Sequence, residues 1–90
     1  MPEFIEQDFL QINTANQKLE KGTYELCNFS HCDFTNFNFS GFTFIECTFE
    51  QCDLSNSKLG NTAFREVSFE QSKLMGLRFD HCNDFLFEVS

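Results

Sequence analysis

The stretch CNFSHCDFTN, residues 27–36, is a five-residue unit written twice: a small residue, an amide or carboxylate, a Phe, then two further residues. CTFEQCDLSN, residues 47–56, repeats it twice more twenty positions later, with Thr48 in place of the amide or carboxylate and Leu54 in place of a Phe. Reading every fifth residue outward from Phe29 gives Tyr24, Phe29, Phe34, Phe39, Phe44, Phe49, Leu54, Leu59, Phe64, Phe69, Leu74 and Phe79, all large and apolar. The same register continues back through Leu19, Thr14, Phe9 and Phe4, with one polar lapse. Fourteen Phe, one Tyr and no Trp fit a single structural position filled over and over by one residue type.

Two residues before each centre stand Gly22, Cys27, Cys32, Phe37, Phe42, Cys47, Cys52, Ser57, Thr62, Val67, Ser72 and Leu77, most of them small or apolar; Cys82 continues the column. The other three columns are mainly polar, with Leu26, Ile45, Ala63 and Met75 as exceptions. A period of five is neither that of a helix nor that of a regular strand. The two apolar columns lie two residues apart, which is strand alternation, so the remaining residues must turn a corner and reset the phase. Each unit is predicted to be a very short strand and a tight bend. Asn36, Gly41, Asn56, Asn61 and Gly76 fall at corners, where turn-forming residues are wanted.

CNFSH (27–31), CDFTN (32–36), CTFEQ (47–51) and CDLSN (52–56) resemble the pentapeptide-repeat family, whose motif is a small residue, Asp or Asn, Leu or Phe, and two variable residues. The resemblance covers residues 22–83 and extends more weakly to the N-terminus. Phe37 and Phe42 depart from it in bulk, and Lys58, Lys73 and Arg78 replace Asp or Asn. It implies an all-β fold, a right-handed quadrilateral parallel β-helix of three to four coils, with four units to a coil. Residues twenty apart would then stack at about 4.8 Å. The expected ladders are Tyr24, Phe44, Phe64; Phe29, Phe49, Phe69; Phe34, Leu54, Leu74; and Leu19, Phe39, Leu59, Phe79. Phe37 and Phe42 are expected to widen or distort their coil.

The expected organisation is a capping or irregular first coil over residues 1–21, the repeat β-helix over 22–83, and a register break over 84–90. Strict register would turn Asp84 inward, which is costly for an unpaired carboxylate. Glu88-Val89-Ser90 echoes Glu66-Val67-Ser68, and no polar cap follows, so a truncated end or one covered by another subunit is expected.

Charge narrows the function. Fourteen acidic against six basic residues give a formal charge of −8, which disfavours direct binding to nucleic acid, where Lys and Arg displace counterions. The N-terminus lacks a basic segment followed by an apolar one, and no apolar run approaches the ~18 residues of a membrane span. A soluble, cytoplasmic protein with free thiols is expected.

Chemistry-bearing residues are sparse. The cysteines follow a C-x₄-C spacing on different sides of the coil and read as small interior residues, not as metal ligands. His31 and His81 occupy outward corners without a catalytic partner. The glycines Gly22, Gly41, Gly60 and Gly76 form no phosphate loop. No enzyme activity, cofactor or metal is expected. The outward charges are uneven. Glu25, Glu46 and Glu66 are assigned to the side of Tyr24, and Glu50 and Glu70 to the next, against Arg65 alone; Asp33, Asp53 and Asp80 are balanced elsewhere by Lys58, Lys73 and Arg78.

Two functions are compatible with this pattern. The family members that protect DNA gyrase from quinolones are acidic, rod-shaped mimics of DNA. Resemblance to them implies a bacterial protein that binds a type II topoisomerase, gyrase or topoisomerase IV, with Glu25, Glu46, Glu50, Glu66 and Glu70 standing in for phosphates. The alternative is a structural or interaction scaffold that self-associates end to end, as a homodimer for example, with Leu26, Ile45 and Met75 as candidate contacts.

Overall fold

The structure, a computed structural model, describes residues 2–77 and the backbone of 84–89. Eight strands form one parallel sheet: β1 (Glu3–Ile5), β2 (Asp8–Leu10), β3 (Thr23–Glu25), β4 (Asn28–Ser30), β5 (Thr43–Ile45), β6 (Thr48–Glu50), β7 (Ala63–Glu70) and β8 (Asp84–Val89). Each strand pairs with the strand one turn away. β1-β3-β5-β7 stack on one side and β2-β4-β6-β7 on the next, with Tyr24 opposite Phe44 and Phe29 opposite Phe49. The third side is held by the bridges Asn13↔Asp33, Asp33↔Asp53 and Asp53↔Lys73, and the fourth by Asn38↔Lys58. The result is a four-sided solenoid of three complete turns, with a fourth begun at Ala63.

The central column fills the interior. Tyr24, Phe29, Phe34, Phe39, Phe44, Phe49, Leu54, Leu59, Phe64 and Phe69 are fully buried or nearly so. Rings stack along the axis: Phe9–Phe29 at 4.9 Å, Phe29–Phe49 at 4.7 Å and Phe49–Phe69 at 5.3 Å, all within 15° of parallel. Around the axis they meet edge to face, as Phe44 does Phe49 at 74° and Phe29 does Phe34 at 75°. Both geometries suit the ring quadrupole, and a favourable pair adds about 0.5–1.5 kcal/mol to its area burial. Leu74 is half-buried, and Arg78, Phe79, Asp80, His81 and Cys82 lie outside the described residues.

The second inward column has a polar task. Ser57 Oγ donates to the Phe34 carbonyl at 2.7 Å, Thr62 Oγ1 to Phe39 at 2.8 Å and Ser72 Oγ to Phe49 at 2.9 Å. Cys47 and Cys52 donate their thiols to the Tyr24 and Phe29 carbonyls at 3.1 and 3.2 Å. Each donor reaches back to the central residue of the turn before. A small side chain with a hydroxyl or thiol is therefore both compact enough for the corner and able to satisfy a buried carbonyl. No buried side-chain N or O among the described residues lacks a partner.

Corners are of two kinds. After the third and fourth sides an i→i+3 hydrogen bond closes a turn, as in Phe37 N→Phe34 O (3.0 Å) and Phe42 N→Phe39 O (3.0 Å). The third residue of such turns has positive φ, and Asn36, Asn56, Asn61, Gly41 and Gly76 supply it. Gly41 has a second constraint, because a Cβ there would meet the Lys21 methylenes at 2.8 Å. After the first and second sides the chain bends through the same left-handed region at Glu6, Gln11, Leu26, His31, Glu46, Gln51, Glu66 and Gln71. These residue types carry no turn signal; the inter-turn bonds on either side hold them there.

Asp and Asn before the central residue also have a local reason. Asp33 Oδ1 accepts from Thr35 N (3.0 Å), Asp53 Oδ1 from Ser55 N (3.0 Å) and Asn38 Oδ1 from Ser40 N (2.9 Å). These are Asx turns on the two bridge-held sides. The bonds from Ser55, more than the neighbouring Lys73, hold the Asp53 carboxyl below its ordinary range.

Two expectations need adjustment, on Phe37 with Phe42 and on the echo at Glu88, and the register near Asp84 takes a definite form. Phe42 is accommodated in the interior beside Tyr24 and Phe44, at 6.0 and 5.8 Å, while Phe37 is half-buried. The distortion falls on the turn before, where Asn16 N and Gln17 N both bond Asn13 O and the positive-φ corners do not recur at Asn16 or Lys21. At the other end, β8 is not in strict register. Asp84 pairs with Ala63, twenty-one residues away, and Val89 with Phe69, twenty away, with a bulge between Arg65 and Val67. One extra residue before β8 moves Asp84 off the inward column, and β8 crosses the bend without a counterpart of Glu66. The echo between Glu88-Val89 and Glu66-Val67 is therefore not structural, since Glu88 pairs with Ser68; Ser90 lies outside the described residues.

Phe49→Ala is expected to cost about 3–5 kcal/mol, the usual loss for emptying a buried ring site. The exposed Met75→Ala should stay within about 0.5 kcal/mol of the unaltered chain. Urea unfolding of the two variants checks this.

Candidate functional site

The filled interior leaves the outer surface as the place to look. A depression of about 540 Å³ lies over Asn38, Lys58 and Asn61, and one of about 530 Å³ over Lys18, Lys21, Phe37 and Phe42. Neither is lined by a carboxylate, a histidine or a cysteine. One of about 280 Å³ does bring His31, Cys32, Asp33, Cys52 and Asp53 together. There both thiols point inward, Cys32 to the Phe9 and Ser30 carbonyls and Cys52 to those of Phe29 and Glu50. Asp33 and Asp53 are engaged in their Asx turns. His31 is left exposed with no nucleophile to activate. No group of three potential ligands among the described residues could hold a metal.

Cys27, Cys32, Cys47 and Cys52 are free thiols and buried. Burial pushes the Cys47 thiol up to about 12, and the bond shared with Cys32, together with burial, holds Cys52 well above its ordinary range. These two thiols are inert at neutral pH. Tyr24, whose hydroxyl donates to the Glu20 carbonyl, is likewise raised by burial.

The five glutamates do not form one array. Glu46 and Glu66 are exposed at the bend between the first and second sides, in successive turns. Glu50 and Glu70 are exposed and are register partners on the second side. Glu25 stands apart from Glu46 and Glu66. It ends β3 half-buried, and its partners are Ile5 and Ile45, not glutamates. The column of Glu46 and Glu66 continues back through Leu26 to Glu6, and Glu3 and Asp8 add carboxylates to the first turn. Glu3, Glu6 and Asp8 lie ahead of the regular units, where only the weaker register through Phe4 and Phe9 places them.

A family model described as pentapeptide repeat region matches residues 22–83. A sequence comparison with curated proteins finds no match. Among solved structures, the chain is similar to trypsin-treated QnrB1 carrying R167E, described as a plasmid-mediated fluoroquinolone resistance protein. The identity is 18% and the TM-score 0.43, over 98% of this chain and 51% of that one. The chain thus spans about half the length of that protein. No helix among the described residues is long and apolar enough to cross a membrane.

A proton held more tightly in the folded state than in the unfolded one stabilises the fold until the unfolded group begins to ionise. The contribution of Cys47 is therefore expected to be constant up to about pH 8.5, the ordinary thiol range, and to be lost as pH rises towards its folded value near 12. Cys47→Ser should shallow that fall while keeping a donor for the Tyr24 carbonyl. Urea midpoints from neutral to alkaline pH read both effects.

Proposed function

This chain belongs to the pentapeptide-repeat family, and from that premise we propose that it is a non-enzymatic binding module whose acidic sides dock on a basic protein surface. The stacked carboxylates carry the proposal. Glu46 and Glu66 at one bend, and Glu50 and Glu70 on the adjoining side, all face solvent one turn apart. Like charges facing each other at strand spacing cost up to about 1 kcal/mol per pair. Solubility alone does not require carboxylates to be aligned in this way. The packed ring interior supports a binding role over catalysis, since it offers no cleft for a substrate.

The family resemblance points to the DNA-binding groove of a type II topoisomerase in a bacterial cytoplasm as the partner, with the carboxylates in place of phosphates. A supercoiling assay with purified gyrase, with and without a fluoroquinolone, tests it. Inhibition or protection is expected at sub-micromolar protein, weakened at high salt. Glu46→Lys with Glu66→Lys should reduce the effect at least tenfold while leaving the far-UV spectrum unchanged. An undiminished effect in that double variant would remove these glutamates from the interface.

End-to-end self-association is the second reading. β1 and β2 pair on one side only among the described residues, and Phe4 and Phe9 there are half-buried. Association of this kind rests on apolar stacking and backbone bonds, so it should persist at high salt where electrostatic docking fades. Sedimentation across a salt series separates the two.

A further inference from the structure

The bend between the first and second sides interleaves aliphatic and acidic residues. Ile5, Glu25, Ile45 and Arg65 are register partners along β1, β3, β5 and β7. At the bend beside them, Glu6 N→Glu25 O (3.0 Å), Leu26 N→Ile45 O (2.9 Å) and Glu46 N→Arg65 O (2.8 Å) set Glu6, Leu26, Glu46 and Glu66 one turn apart. Glu25 therefore has Ile5 in the turn before it, Ile45 in the turn after it and Leu26 next in the chain. Glu25 and Ile45 are half-buried, while Ile5 is 51% and Leu26 43% exposed.

Leu26 is the residue that neither folding nor solubility accounts for. Its φ is 57°, a region disfavoured for a residue with a side chain, and the other described corners of positive φ carry Glu, Gln, His, Asn or Gly. Its side chain is outside the ring core and in contact with water. An aliphatic residue held in a disfavoured conformation and exposed, one column over from Ile5 and Ile45 and between Glu6 and Glu46 in its own, has the character of an interface centre. The buried core of an interface is depleted of charge and ringed by a polar rim, the arrangement this bend presents.

We propose that this bend is the centre of the docking surface and receives a cationic amphipathic peptide segment of a partner protein. Aliphatic side chains of that segment would cover Ile5, Leu26 and Ile45. A Lys or Arg would lay its methylene stem across the same aliphatic residues and bring its charge to Glu25. Glu6, Glu46 and Glu66 form the rim that receives further cations. Charge complementarity selects this occupant: the four carboxylates around the aliphatic centre outnumber Arg65, the cation that shares these two columns, so the bend repels phosphate and favours a basic chain. The proposal rests on the acidic-docking reading above and adds to it an apolar, salt-resistant component that a plain replica of phosphates lacks.

The test uses the whole chain and three labelled probes: a helical Leu/Lys peptide in amphipathic order, a scrambled peptide of the same composition, and oligolysine. Fluorescence anisotropy is read at low and high salt. The amphipathic peptide is expected to bind more tightly than either control and to lose less than tenfold at high salt, while oligolysine binding disappears. Leu26→Asn, which suits a positive φ, should weaken the amphipathic peptide about tenfold, as for a central interface residue, and leave oligolysine unaffected. Glu25→Gln should weaken both, and Met75→Asn neither. Equal binding of ordered and scrambled peptides overturns the apolar centre and leaves the acidic reading standing, as does an inert Leu26→Asn. A Met75→Asn loss equal to that of Leu26→Asn overturns it as non-specific adhesion. Failure of both oligolysine and the amphipathic peptide at low salt removes both readings.

Discussion

The constraint on which the molecule depends is that residues twenty positions apart occupy the same place in successive turns. Phe29, Phe49 and Phe69 meet this requirement with rings stacked at 4.7–5.3 Å. Tyr24, Phe44 and Phe64 do the same on the adjoining side at 5.4–5.5 Å. Once the rings are stacked, the backbones of neighbouring turns are at hydrogen-bonding distance, and the parallel pairing of β3 with β5 and β4 with β6 follows. A chain of ninety residues gains a continuous core in this way, because each turn buries its rings against the next instead of around one centre. Packing to that density leaves the chemistry of the described residues on the outside.

The outside is governed by the same period. A residue one position after a centre faces outward on its side, and a residue two positions after it sits in a bend or turn. Chemistry placed there recurs along the solenoid axis at a fixed step. Glu50 with Glu70, and Glu46 with Glu66, are two such recurrences. Ile5, Glu25 and Ile45 form a third column with a different composition. A closely spaced surface array with a fixed step is what this fold supplies.

The sequence alone revealed what depends on period. The central column was legible from Tyr24 to Phe69, since large apolar residues at every fifth position match neither a helix nor a continuous strand and so require a chain that turns a corner in each unit. The Asn and Gly turns at 36, 41, 56, 61 and 76 were legible because those residues tolerate positive φ. The bends at Leu26, His31, Glu46 and Gln51 were not, because tertiary hydrogen bonds impose a conformation that those residues do not prefer locally. The thiols and hydroxyls of Cys47, Ser57 and Thr62 were legible only as small; their donation to carbonyls of the preceding turn needs the coordinates of both turns. The separation of Glu25 from Glu46 and Glu66 was hidden because the strand end and the bend are adjacent in sequence yet belong to different columns. A break near Asp84 was legible because strict register would bury its carboxylate, but its form, a one-residue slip taken up by a bulge, was not, since the register of β8 is fixed by pairing with β7 and not by the repeat.

The claim that a twenty-residue turn is the unit of both stability and surface can be tested directly. A copy of residues 43–62 inserted after residue 62 should leave a single cooperative urea transition, with a higher midpoint and a larger m-value, because one more turn of rings and inter-turn bonds is added. The same insertion shortened by two residues should unfold the chain or lower its midpoint sharply. Equal behaviour of the two insertions, in either direction, would contradict the twenty-residue register as the basis of the fold.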